Sequence, residues 1–170
     1  MLQVQALAMA QHIKMIEEFK IEGIESTIKC FDNLERELLN PKEPLDNSVI
    51  FMREEALRNF PAEGQIFEEK WPPLKPITLK IKEKKGYGNQ PIMVRTGRLR
   101  DSFISSVDTI SGGRGAASVH NPTPYASLHQ QGIGKLPRRV LLKLVKRQRD
   151  KITNIFFDWV VQRVRKSFSN

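Results

Sequence analysis

The 170-residue chain predicts an α+β fold, with long helices at its two ends and a short antiparallel hairpin between them. Three patterns predict it. Apolar residues recur at three- and four-residue steps near both ends, as one face of a helix requires. Residues 102–110 alternate instead with period two. Glycine-rich turn chemistry, Ser111-Gly-Gly-Arg-Gly115, follows that alternation directly.

The first helix is expected over residues 3–39, where Ile13, Ile16, Ile24, Ile28, Phe31, Leu34 and Leu38 share a face. Gly23 weakens its middle. Asn40, Pro41 and Pro44 stop it. A second helix is expected from Asp46 or Asn47, either of which can cap it, to Asn59. Val49, Ile50, Ala56, Leu57 and Phe60 form its apolar side. Pro61 and Gly64 belong to the next connection. Trp71-Pro-Pro-Leu-Lys-Pro76 is expected to be extended, because each proline fixes its own φ and biases the residue before it. Thr78 can cap a short helix, Leu79 to Lys85, and Lys85 to Pro91 is then a loop.

Arg98 to Asp101 is a short amphipathic piece after Thr96-Gly97. In the strand that follows, Phe103, Ser105, Val107 and Thr109 face one way, and Ile104, Ser106, Asp108 and Ile110 the other. Ala116 to His120 returns, and Pro122 and Pro124 end it. Tyr125 to Gln131 fits a short helix closed by Gly132. Residues 137–142 are expected to form another strand. The last helix, 144–168, carries a stripe of Val145, Ile152, Ile155, Phe156, Trp159, Val160 and Val164, which Phe157 and Val161 widen. A helix apolar over so much of its girth packs against more than one neighbour, either a second intrachain helix or another subunit.

The length suits one domain over 1–170, with a helical part (1–60), a loop-rich core (61–142) and a basic helix (143–170). Hydrophobic residues at 39% and charged residues at 28% fit a soluble globular chain rather than a disordered one. No run is long enough to span a membrane. The apolar N-terminal run is interrupted by Gln and lacks a basic leader, so no signal peptide is expected, and the compartment is the cytoplasm of the producing cell. The single cysteine, Cys30, excludes an internal disulfide and lies in a helical apolar stripe, as a buried spacer would.

The net charge of +9 is uneven. Basic and acidic residues balance over 1–134. Residues 135–170 oppose only Asp150 and Asp158 to a dense basic run that includes Arg138, Arg139, Lys143, Lys146, Arg147, Arg149 and Lys151. Such a segment can track phosphates, meet an acidic protein surface or form a solvated helix face. No zinc-finger or RNA-recognition signature accompanies it, and aromatic residues are not interleaved with it.

No convergent catalytic pattern is visible. His12, His120 and His129 are scattered without metal-ligand spacing. Glu17-Glu18, Glu54-Glu55 and Glu68-Glu69 read as exposed charge. Neither glycine-rich stretch has the spacing of a phosphate loop. The expectation is a non-enzyme with no cofactor and no metal.

The most informative stretch runs from Asn59 to Leu144. It contains Phe60, Gly64, Trp71-Pro-Pro-Leu74, Thr78 and a basic run to Lys85. Val94-Arg-Thr-Gly-Arg-Leu99, Tyr125-Ala-Ser-Leu-His-Gln-Gln-Gly132 and Pro137-Arg-Arg139 follow in order. This set resembles the phage virion morphogenesis family, also described as tail completion proteins. Three features depart from the family pattern: the inserted Gln65 to Lys70, Met93 or Val94 in place of Leu, and Val140 after Pro-Arg-Arg. The resemblance implies long N- and C-terminal helices packed on a short antiparallel β-sheet. It also implies a ring component, commonly sixfold, at the neck of the virion, joining tail tube to head-completion or connector proteins.

Trp71, held by two prolines, suits anchoring a loop on a core or on a partner. Thr96-Gly97 can begin a turn. Tyr125 and His129, four apart, can touch. Gln130 is expected as a hydrogen-bonding turn residue, and Leu74, Leu99, Gly132 and Pro137 as structural members of the motif. Arg138, Arg139, Lys143, Lys146 and Arg147 are expected to meet acidic residues of a neighbouring subunit, or DNA in the channel. Phe157 and Val161 are candidates for a subunit contact. The alternative is a nucleic-acid-binding module using the basic C-terminal helix.

Overall fold

The computed structural model describes residues 23–110 and 114–169. The expected helix before Gly23, with Ile13 and Ile16, and the hairpin turn at 111–113 lie outside the described residues. The elements are α1 (Ile24–Leu38), α2 (Lys42–Arg58), a 3-10 turn (Gln65–Phe67), α3 (Pro76–Lys84), α4 (Arg98–Asp101), β1 (Ile104–Ile110), β2 (Arg114–His120), α5 (Ala126–Gln131) and α6 (Lys146–Phe168). The fold is α+β, and the described residues have helices toward both ends and one antiparallel pair, in which Ser105 faces Val119 and Val107 faces Ala117.

Proline placement explains two shifted helix starts. Pro44, expected to help end the first helix, lies inside the first turn of α2. Its missing N–H is not needed there, so α2 begins four residues before Asp46. Pro76 likewise opens α3, ahead of the expected Thr78 cap.

α2 lies across both strands and packs on α6 with another part of its surface. Its buried residues include Val49, Met52, Glu55 and Ala56, at helical spacing. Ile50, expected on that face, is about a quarter-turn away and 53% exposed. Phe60 stacks edge-on against Trp71, with centroids 5.4 Å apart, and against Phe103 at 6.3 Å. Val94, Leu99, Ala126 and Leu141 complete this cluster. A second cluster joins Met52, Phe67 and Val140, with Val119 of β2 and Ile152 of α6 packed on it.

Residues 137–142 do not form the expected strand. Side chains, rather than another strand, meet several of their backbone groups. Asn59 Nδ2 and Trp71 Nε1 each donate to the Val140 carbonyl at 2.9 Å. Gln130 Oε1 accepts from the Leu141 and Leu142 amides at 2.7 and 3.2 Å, while its Nε2 donates to the Leu142 carbonyl at 2.8 Å. The Arg139 amide donates to the His129 carbonyl at 2.8 Å. Backbone groups held in this way by side chains are not free to pair with a sheet edge.

Gly132 makes the approach possible. Its φ is 72°, and a Cβ there would stand 2.8 to 2.9 Å from Arg138. Gln130→Met keeps the volume but orphans two amides and a carbonyl. It is expected to cost about 2–4 kcal/mol by urea unfolding. A loss below about 0.5 kcal/mol would mean the segment is held by other means.

Candidate assembly surfaces

Three surfaces matter: the C-terminal cations, the α1–α6 arm, and a cleft built from the sequence motifs. Most of the C-terminal cations are engaged within the chain. Arg138 and Lys143 both reach Glu69, at 2.7 and 2.5 Å. The Lys143 hydrogen bond holds the Glu69 carboxyl below its ordinary range, with Arg138 adding to it and partial burial opposing it. Arg147 pairs with Glu55, a carboxylate 1% exposed that also accepts from Arg58 and Gln148. A buried carboxylate with three donors is compensated, and removing one donor leaves charge unpaired in a poorly solvated place. Lys146 pairs with Asp150 one helical turn on.

Arg139 is not a surface cation at all. It is 5% exposed, and Nη2 donates to the Pro72 carbonyl at 2.9 Å. Trp71, at 2% exposure, offers nothing to a partner either. Of the two roles open to it, the structure supplies the core one. Arg149, Lys151 and Arg165 lack a carboxylate partner among the described residues.

The arm is formed by α1 and the distal half of α6, running antiparallel. Cys30 Sγ, half-buried rather than a core spacer, donates to the Ser167 carbonyl at 2.9 Å. Phe31 meets Phe168 edge-on at 5.8 Å. Arg163 and Lys166 hold Glu37 at 3.5 and 3.7 Å, and Arg163 also holds Glu43. No residue of α1 is buried. Ile24, Ile28 and Phe31 stay exposed beside one another on its face. On α6, Trp159 and Gln148 mark the buried side. Phe157, Val161, Val164 and Phe168 follow at steps of four, three and four on another side, with Phe157 65% exposed and Val161 half-covered.

The cleft, about 600 Å³, is where the remaining motif residues meet. Leu74, Val94 and Leu99 give it apolar walls; Thr78, Thr96, Tyr125 and His129 add polar groups; Lys82, Arg95 and Arg98 supply charge, and among the described residues no carboxylate lines it. Gly97 starts α4 at φ 83°, where a Cβ would strike Asp101 Oδ2 at 2.6 Å. Met93, beside it, holds φ 66°, uncommon for a residue with a side chain. Lys82 donates to the Gln90 and Pro91 carbonyls at 2.7 and 3.0 Å, so the 85–91 loop is tied back. Burial lowers the Lys82 pKa, partly offset by Glu63.

Sequence reading did not find this site, and its signal was arithmetic. Lys75, Lys80, Lys82, Lys84, Lys85, Arg95, Arg98 and Arg100 face only Glu83 and Asp101 between 75 and 101, but acids elsewhere cancel them in the sum over 1–134. Apart from Arg100, none of these cations has a carboxylate partner among the described residues. No His, Cys, Asp and Glu group there gathers as a metal site requires. No helix there is long and apolar enough to cross a membrane.

The model of the phage virion morphogenesis family matches residues 24–161. The chain belongs to the phage virion morphogenesis family. No curated protein and no solved structure matches it. Membership makes this a phage structural protein of virion assembly, working among other phage proteins. The family pattern divides in space: Phe60, Gly64, Trp71, Gln130 and Gly132 hold the 137–142 segment and its surroundings, while Leu74, Thr78, Thr96, Leu99, Tyr125 and His129 line the cleft.

His129 stands edge-on to Tyr125 at 6.5 Å, its Nδ1 buried without a partner. Burial lowers its pKa below the ordinary 6.5, and Arg139 adds to this. The fold therefore favours the neutral ring. Its contribution is complete above pH 6.5 and is lost as pH falls through the folded value. Wild type is expected to lose more melting temperature between pH 7 and 5 than His129→Gln. Parallel curves would contradict a half-buried ring held neutral by the fold.

Proposed function

We propose that the protein is a tail-completion, tail-terminator-type component of the neck, which forms a ring, a hexamer, and joins tail to head. The observation that carries this reading is the arm. α1 buries no residue, yet it carries Ile24, Ile28 and Phe31 on one face, and α6 continues the exposed apolar surface through Phe168 and Phe157. Contiguous exposed apolar surface of this kind marks a protein contact. The protein works by complementary surfaces and makes or breaks no bonds. Its partners are its own copies, the tail tube and the head-completion or connector proteins. It sits in the neck of the virion after assembly in the host cytoplasm.

The alternative, phosphate binding by the basic C-terminal helix, has less support. Arg138, Lys143, Lys146 and Arg147 are paired with carboxylates, and Arg139 is buried. Few of the expected cations remain for a nucleic acid.

Deleting the gene is expected to yield separate heads and tails in electron micrographs. Complementation with Phe157→Arg should fail to restore joined particles while the purified variant melts like wild type, since the side chain is 65% exposed. Joined particles in the deletion would exclude the neck role. Full complementation by Phe157→Arg would remove the arm from it.

A further inference from the structure

Two unsatisfied surfaces lie at opposite ends of α2. At its first turn, Glu43 pairs with Arg163 and so adjoins the arm. At its far end, Ala56 and the following Phe60 pack with Val94 and Leu99, which wall the cleft. A 17-residue helix is about 25 Å long, so the arm of one copy is far from its own cleft.

The two surfaces are complementary. The cleft has apolar walls and three cations, Lys82, Arg95 and Arg98, and among the described residues no carboxylate. On α1, Ile24, Ile28 and Phe31 are exposed, Glu35 continues the same row one turn after Phe31, and Asp32 borders it one turn after Ile28. Both carboxylates are exposed and neither has a basic partner among the described residues.

We propose that the apolar and acidic face of α1 in one copy docks on the cationic cleft of the next. The inference rests on the reading of the protein as a self-assembling component and names the pair of surfaces involved. The contact is head-to-tail: each copy gives an arm and receives one, and repetition closes a ring when the rotation per step allows. Charge sets the register and apolar side chains supply the burial. An acidic helix recognises this cleft better than nucleic acid does, because apolar walls gain nothing from phosphate.

The test is sedimentation velocity of the full chain over concentration, at low and high salt. Wild type should self-associate, less so as salt rises. Arg95→Glu with Arg98→Glu, and separately Asp32→Arg with Glu35→Arg, should each weaken association on the order of tenfold or more with unchanged melting. Mixing the two variants in equal amounts should restore it, since each reversed surface then meets its complement. A wild-type chain monomeric throughout, a reversal without effect, or a mixture that stays dissociated would overturn the pairing. So would cleft reversal that abolishes particle assembly or oligonucleotide binding but leaves self-association intact, which would give the cleft a different occupant. The gene-deletion phenotype decides the neck reading independently.

Discussion

The carbonyl of Val140 is the joint on which the rest of the structure depends. Asn59 from the end of α2 and Trp71 from the proline-rich stretch both donate to it, and the side chain beneath it is 1% exposed. Gln130 fastens the next two residues from the other side. The chain thereby ties together α2, the 61–75 connection, α5 and the entry to α6 without a third strand. Buried amide contacts of this sort have a demanding geometry, because a donor left without its acceptor costs more than the bond returned. That requirement explains glycine at 132, where any side chain would push the segment off its partners.

Much of the fold was legible because it rests on local periodicity. The α4 turn, the alternating strand, the short helix closed by Gly132 and the final helix follow from spacing and turn chemistry within a few residues. The 137–142 stretch was not legible in that way. Its apolar run suits a strand by composition, but its hydrogen-bond partners come from positions 59, 71 and 130, which no local window contains. Ile50 shows the same limit on a smaller scale. Helical spacing admits more than one apolar face on α2, and the hairpin chooses the one with Met52 and Ala56.

The electrostatics were legible in amount and misleading in place. A sum along the chain puts the entire excess after residue 134. Folding brings Glu37, Glu43, Glu55 and Glu69 against that segment, so its cations are in large part answered at home. Of the cations between 75 and 101, invisible in the sum, Arg95 and Arg98 line the cleft without a carboxylate partner among the described residues. Sequence order records how many charges a chain has, whereas the field a partner meets depends on which remain unpaired in space. The site residues divide accordingly: Trp71 and Arg139 belong to the interior, and Phe157 stays at the surface.

The arm completes the argument, because its stability and its purpose are the same question. An isolated helix of fifteen residues is marginal in water and depends on packing of one face. Its own chain holds α1 through the Phe31–Phe168 pair, the Cys30–Ser167 hydrogen bond, half-covered Leu34 and Leu38, and the ion pairs at Glu37. No residue of α1 is fully buried, and Ile24, Ile28 and Phe31 remain exposed. A helix held so lightly by its own chain gains most from a second surface that covers Ile24, Ile28 and Phe31. In the proposed assembly a neighbouring copy would supply the burial that Ile24, Ile28 and Phe31 lack within their own chain.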